Sequence, residues 1–255
     1  MASFPPGCAL VFGGSGGIGS GVARTFAEAG SDIAIIWRSR PEPAEATAGH
    51  ARSLGRKAST HQADVTRPDE MCAAIARAIA EHGRIHSVIW GAGPLVNQRY
   101  LAETPIDEWR NAFEVEVHGF FAAMTLIVPH MREMGGGSFV HLGSAGHDWW
   151  PAKDGLSVAV KAANEQVIRG IAKEEGKHDI RANSVLVGVI DAGQMHKLTE
   201  LGQLDQKWVE ETHKLLCLKR WGTPAEIGHA AVYFASNEGA YTTGQTISVS
   251  GGFGV

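Results

Sequence analysis

Leu10-Val11-Phe12-Gly13-Gly14-Ser15-Gly16-Gly17-Ile18-Gly19-Ser20 is an apolar run that breaks into five glycines within the seven residues 13–19 and then resumes with helical patterning. Glycine permits tight turning and close backbone approach. A helix that starts straight after such a turn offers free N–H groups and the positive end of its dipole. Strand, glycine turn and helix N-terminus, in that order, suit a pyrophosphate. The spacing is Gly13-x3-Gly17-x-Gly19 rather than G-x-G-x-x-G,. A glycine loop that merely turns is the plainer alternative. It ranks below the cofactor reading because strand, turn and helix agree.

Outward from this turn, short apolar stretches alternate with longer helical patterns. Strands are expected at residues 8–12, 32–37, 57–61, 86–90, 138–142, 180–187 and 246–249,. Helices are expected at residues 18–29, 44–54, 69–82, 106–134, 155–175 and 224–235, the fourth bent near Gly119 or Pro129,. Thr223 stands as the N-cap of the last, with Pro224 in its first turn,. Residues 190–221 read as an irregular substrate-side region. Strands separated by helices of this length imply right-handed βαβ crossovers. The expectation is one doubly wound α/β domain over residues 1–255, with a parallel sheet of about seven strands and helices on both faces.

The whole-chain totals agree. The 255 residues are 44% hydrophobic and 20% charged, enough for a sizeable core,. A formal charge of −4 argues against nucleic acid, whose binding draws on a basic patch,. Residues 1–11 carry neither a basic leader nor a long apolar run, so a cytoplasmic protein without a membrane span is expected,. Cys8, Cys72 and Cys217 are odd in number and scattered, which fits a reducing compartment and no metal site,.

With the G-x3-G-x-G turn, several further elements make the chain resemble the short-chain dehydrogenase/reductase family, Rossmann-like in fold, over nearly its whole length. Asp64-Val65 looks like the strand end that holds the adenine. Trp90-Gly91-Ala92-Gly93 stands where the family has Asn-Asn-Ala-Gly. Ser144 and Lys161, 17 residues apart, match the active-site serine and lysine. Arg220-Trp221-Gly222-Thr223-Pro224, Thr243-Gly244-Gln245 and Gly251-Gly252 match its tail. The resemblance implies a cofactor site drawn from Gly13, Ser15, Gly16, Gly17, Ile18, Gly19, Arg38, Ser39, Asp64, Val65, Gly91, Ala92, Gly93, Lys161, Gly188 and Ile190. It also implies a homotetramer or homodimer through the helices at 106–134 and 155–175.

The second strand ends Trp37-Arg38-Ser39-Arg40, without the carboxylate that would accept the ribose 2′-OH of NAD,. Arg38 suits a 2′-phosphate through charge-assisted hydrogen bonds, and Ser39 adds a hydroxyl. NADP(H) is therefore expected over NAD(H), although Arg38 and Arg40 could equally be solvated loop charges.

The reaction centre departs from the family. Its general acid is a tyrosine four residues before the lysine, and that position is Ser157 here. Tyr100, Tyr233 and Tyr241 are the only tyrosines, and none lies four residues before a lysine. Tyr233 reads as core. A phenol titrates near about 10, and an aliphatic hydroxyl is a far weaker acid with a shorter reach. Glu116 takes the place of the family's asparagine; it could hold Lys161 as an ammonium or face solvent. Asp191 replaces a hydroxyl expected near the nicotinamide. His147 is an alternative proton donor, set against its being surface decoration in a chain with 12 histidines,.

Trp149, Trp150, Trp208 and Trp221 lie where ligands dock at the carboxyl edge of such a sheet, which suits a hydrophobic or aromatic small-molecule substrate or a subunit contact,. The first functional expectation is an NADP(H)-dependent carbonyl reductase or alcohol dehydrogenase with a rearranged proton relay. A retro-aldol or dehydratase-type lyase on the same scaffold, and a cofactor-binding sensor without turnover, are the alternatives.

Overall fold

The computed structural model describes residues 2–255. Seven strands, Cys8–Phe12 (β1), Asp32–Trp37 (β2), Ala58–Gln62 (β3), Ile85–Trp90 (β4), Gly137–Ser144 (β5), Ile180–Val187 (β6) and Thr246–Val249 (β7), form one sheet. Its order is β3-β2-β1-β4-β5-β6-β7, and every neighbouring pair is parallel. Alternation along β1 explains why both faces need cover. Cys8, Leu10 and Phe12 enter one apolar core and Ala9 and Val11 the other,.

Each core is closed by helices. Gly17–Glu28 (α1), Pro41–Ser53 (α2) and Pro224–Ala235 (α9) cover one face through Phe26, Ala48 and Ile227. Pro68–His82 (α3), Gly119–Glu133 (α5) and Gly155–Glu175 (α6) cover the other through Met71, Phe120 and Ile168. The order reverses between β1 and β4, so a crevice opens beyond their carboxyl ends,. There Gly13 takes φ +74°, and a side chain on it would collide with the Gly91 carbonyl,.

Ile106–Phe113 (α4) and α5 are joined by a π turn at Glu114–His118. The expected break therefore falls immediately before Gly119, while α5 continues through Pro129. By length and composition alone Ile106–Glu133 is apolar enough to cross a membrane. Here Phe120, Ala123, Ile127 and Met131 of that run sit in the core. Thr223 caps α9 in a full capping box with Glu226, as expected,.

Three expectations are corrected. Residues 190–221 are not wholly irregular: they contain Gln194–Glu200 (α7) and Gln206–Leu215 (α8). Both helices are short and carry few buried residues, so their apolar periodicity is faint,. Tyr233 is 41% exposed, with its hydroxyl 3.1 Å from Thr242 Oγ1, and Phe234 takes the core position instead. Helix α2 starts at Pro41 rather than at Ala44, proline being well suited to a first turn,.

Candidate active site

The phosphate turn comes first along the crevice. Helix α1 begins at Gly17 with no side-chain cap on Gly16 and no acidic residue in its first turn. By contrast α2, α3 and α4 each carry Asp or Glu there. The positive helix end of α1 is thus left for an external anion, and the glycine backbone is a cradle that fits a pyrophosphate. Ala192 and Gly193, in the loop after β6, pack against Gly17 and bring the segment that leads to α7 over the turn.

At the tip of β2, Arg38 is largely exposed and lies 3.9 Å from the Asp64 carboxylate. Ser39 is exposed beside it. Arg40, undervalued in the sequence, donates from Nη2 to the Ser15 carbonyl at 3.0 Å and so ties the β2 tip to the phosphate turn. Asp64 Oδ1 accepts from Thr66 N at 2.9 Å and Thr66 Oγ1 at 2.8 Å. Burial alone would raise the Asp64 pKa, but these bonds together with Arg38 and Arg67 hold it below the ordinary value,. Val65 is buried beneath it, against Gly119.

Trp90 precedes the second crevice loop and is core. It packs on Phe12 and Phe120, with ring centres 4.9 and 5.4 Å away. Gly91 and Ala92 follow at the crevice floor, where Gly91 N donates to Phe12 O at 3.2 Å. A side chain on Gly93 would meet the Glu116 carboxylate, so glycine there lets Glu116 reach inward. Glu116, on the π turn, is only 4% exposed and forms an ion pair with Lys161 of α6. Asn164 Nδ2 donates to the Glu116 carbonyl at 3.0 Å, which fixes the π turn against α6. Of the two readings of Glu116, solvent-facing and Lys161-facing, the structure has the second.

Ser144 is the last residue of β5 and is buried; its Oγ accepts from Gly146 N at 3.1 Å. Ser157 lies in the first turn of α6, half-buried. His147 ends the short turn after Ser144, and its Nε2 is sealed from solvent without a hydrogen-bond partner among the described residues. Burial lowers the His147 pKa, so the ring is held neutral near neutral pH,. Behind it lies a buried pair the sequence did not reveal, His141 Nδ1 to Glu165 Oε1 at 2.9 Å.

The walls add further residues. Gly188 N donates to Val249 O at 3.1 Å, and Ile190 is buried against Gly222. Asp191 faces His196 at 2.7 Å on the exposed side of α7. Gln194 of α7 donates to Pro94 O at 3.1 Å, and Gln203 Oε1 accepts from Gln98 N at 2.8 Å. The α7–α8 segment is thereby stapled across the crevice to the loop after β4. Gln98 Nε2 in turn donates to Asp154 Oδ1 at 3.1 Å. Burial pushes the Asp154 carboxyl up to about 6, against the opposing pulls of Gln98 and Lys161,. Of the tryptophans, Trp149 sits 6.0 Å from Phe253 and Trp208 stacks on Trp221 at 6.0 Å. Among the described residues no group of His, Cys, Asp and Glu could hold a metal ion.

The parallel sheet and the glycine cradle at its reversal define a Rossmann-like dinucleotide-binding protein. The sequence profile of the family described as enoyl-(acyl carrier protein) reductase matches residues 13–254. A 3-oxoacyl-[acyl-carrier-protein] reductase of Chlamydia muridarum is 31% identical over 96% of both chains. The solved structure of a 7α-hydroxysteroid dehydrogenase complexed with NADH and 7-oxo glycochenodeoxycholic acid has a TM-score of 0.89. It is 25% identical and covers 98% of this chain and 95% of its own. A blue fluorescent protein from a metagenomic library, in complex with NADPH, has a TM-score of 0.86 at 29% identity over 98% of both chains. The chain belongs to the short-chain dehydrogenase/reductase family of oxidoreductases.

Proposed function

We propose that the protein is an NADP(H)-dependent oxidoreductase of the carbonyl reductase or alcohol dehydrogenase type, acting on a small hydrophobic or ring-containing substrate. The observation that carries this reading is the line of groups along one sheet edge. The uncapped α1 turn, the Arg38–Arg40 tip and the Lys161–Glu116 pair follow one another there.

Gly13, Ser15, Gly16, Gly17, Ile18 and Gly19 would hold the pyrophosphate, while Asp64 and Val65 flank the adenine. Arg38, with Ser39, would take the 2′-phosphate. Gly91, Ala92, Gly93, Gly188 and Ile190 line the rest of the cofactor's path. A reduced nicotinamide, when bound, supplies a hydride to a carbonyl carbon. Ser144 donates a hydrogen bond to the substrate oxygen, and Lys161, paired with Glu116, binds ribose hydroxyls and steadies developing negative charge,. Ser157, lacking the acidity of a phenol, contributes shape and a hydroxyl. Neutral His147 ends the short turn that follows Ser144.

Exposed Phe121 of α5 and the family relationship support assembly as a homodimer or homotetramer, and a cytoplasmic location fits three free cysteines,. The test is NADPH and NADH binding by fluorescence, followed by cofactor oxidation with a panel of aromatic and alicyclic ketones. Tighter NADPH binding with oxidation by at least one ketone supports the reading. Product formation without cofactor oxidation would favour a lyase, and binding without any turnover a sensor.

A further inference from the structure

We propose that Asp154 is the general acid that protonates the substrate oxygen in this site, an inference that rests on the reductase reading. Its place follows from where α6 begins. Asp154 is the N-cap of α6, and its carbonyl accepts from Ser157 N and Val158 N, both at 3.0 Å. Asp154 itself lies just outside the helix, at φ −100° and ψ 22°, while Ser157 and Lys161, four residues apart, share one face of α6,. The carboxyl thus sits at the N-terminal end of α6, one turn before Ser157, and near enough to Lys161 to feel its charge. A serine at 157 leaves open the space that a larger side chain would fill.

Its hydrogen bonding decides which oxygen carries the proton. Gln98 Nε2 is a pure donor and points at Asp154 Oδ1 at 3.1 Å,. A carboxyl proton on Oδ1 would oppose that donor, so the proton resides on Oδ2. Among the described residues Oδ2 has no hydrogen-bond partner, and it is not sealed from solvent. Gln98 is itself fixed by Gln203, so the orientation of the carboxyl is built into the staple across the crevice.

The charges around it are few. Lys161 favours the carboxylate, and Glu116 offsets that ammonium from the π turn. Arg99 turns away onto Glu108 at 3.4 Å, and Lys153 lies over the Tyr100 ring at 5.1 Å. The remaining influence is burial, which brings the carboxyl into the range where proton transfer near neutral pH is efficient,. In the reduction, the carbonyl carbon gains a hydride, the two electrons coming from a reduced nicotinamide. The π pair of the carbonyl takes the Asp154 Oδ2 proton to form the new O–H. Asp154 is left as a carboxylate and recovers the proton that reduction consumes from hydronium or a buffer acid in the solvent; oxidation runs the same transfers backwards.

The test compares wild type with Asp154→Asn and Asp154→Glu, using NADPH and the ketone panel from pH 5 to 9. NADPH affinity is read by fluorescence, and the carboxyls by 13C NMR with and without NADP+. Expected for Asp154→Asn is a loss of about 100-fold or more in kcat, with NADPH affinity unchanged and the acid-dependent limb of the pH profile gone. Asp154→Glu should restore part of the rate with a displaced limb. Expected in the NMR titration is one carboxyl titrating near pH 6 that responds to NADP+ and is absent from Asp154→Asn. An Asp154→Asn enzyme with wild-type rate and pH profile overturns the proposal while leaving the reductase reading intact. So does the absence of that titrating carboxyl. Wild-type protein that binds NADPH but reduces no ketone overturns both.

Discussion

Glu116 and Lys161 meet from two different elements, the π turn and α6, in an ion pair whose carboxylate is 5% and whose ammonium is 17% exposed. Gly93 leaves the room for this contact, and Asn164 holds the main chain beneath it. Breaking one partner of a sheltered pair leaves the other charge uncompensated. Glu116→Gln should therefore cost about 3 kcal/mol in urea unfolding. The double variant Glu116→Gln/Lys161→Met should lose less than the two single variants added together, because each single change strands a charge that the double change removes. Additive losses would show that the pair is not coupled in solution.

The two arginines at the β2 tip make separable predictions. Arg38 is free on the solvent side apart from a long contact with Asp64, whereas Arg40 is bonded to the Ser15 carbonyl. Arg38→Ser should weaken NADPH binding by about 10- to 100-fold, the worth of a charge-assisted hydrogen bond, and leave NADH binding nearly unchanged. Arg40→Ala should weaken both cofactors together, because it loosens the shared phosphate turn. Isothermal titration with each cofactor distinguishes the two patterns.

Most of the frame is legible in the sequence because its signals are local. The β2, α6, β6, α9 and β7 boundaries follow from apolar runs that end at glycine, proline or a capping residue,. The phosphate turn and the Glu116–Lys161 approach are likewise readable, one from glycine spacing and the other from the family's register. What escapes is long-range. Gln98 and Asp154 are 56 residues apart, and neither residue type announces a site. The spacing of Ser157 and Lys161 is a usable helical signal, but only the loop after β4 gives the Asp154 carboxyl its partner. His141 and Glu165 stay hidden for the same reason, since their pairing exists only once α6 lies on β5.

Arg181 on β6 shows how one side chain can close a helix end. Its guanidinium donates to the carbonyls of Phe234, Ala235, Ser236, Gly239 and Thr242, at and beyond the C-terminus of α9. Carbonyls in the last helical turn have no partners within the helix, and a planar fork serves several at once. Lysine cannot reproduce that geometry. Arg181→Lys should cost about 2–4 kcal/mol by urea unfolding. A loss below about 0.5 kcal/mol, the size of an ordinary surface change, would contradict the role.

His86 sets an acid limit on stability from the opposite end of the sheet. Its ring is buried, with Nε2 3.1 Å from Ser31 Oγ and Nδ1 2.9 Å from Ser87 Oγ, and Phe4 stacks on it at 5.4 Å. Burial, with a contribution from Arg84, lowers its pKa to about 3 in the folded chain,. The unfolded chain binds the proton near pH 6.5, so between these values the unfolded state holds more protons than the folded one,. Stability from this group is complete above about pH 6.5 and declines as the pH falls toward 3,. At pH 4.5 the loss amounts to about 2–3 kcal/mol. Replacement by glutamine removes the titration while keeping a donor and an acceptor. His86→Gln should therefore show a smaller drop in urea midpoint between pH 7 and 4.5 than the wild type, even if it is less stable at both. Equal drops in the two proteins would assign the acid sensitivity to other groups.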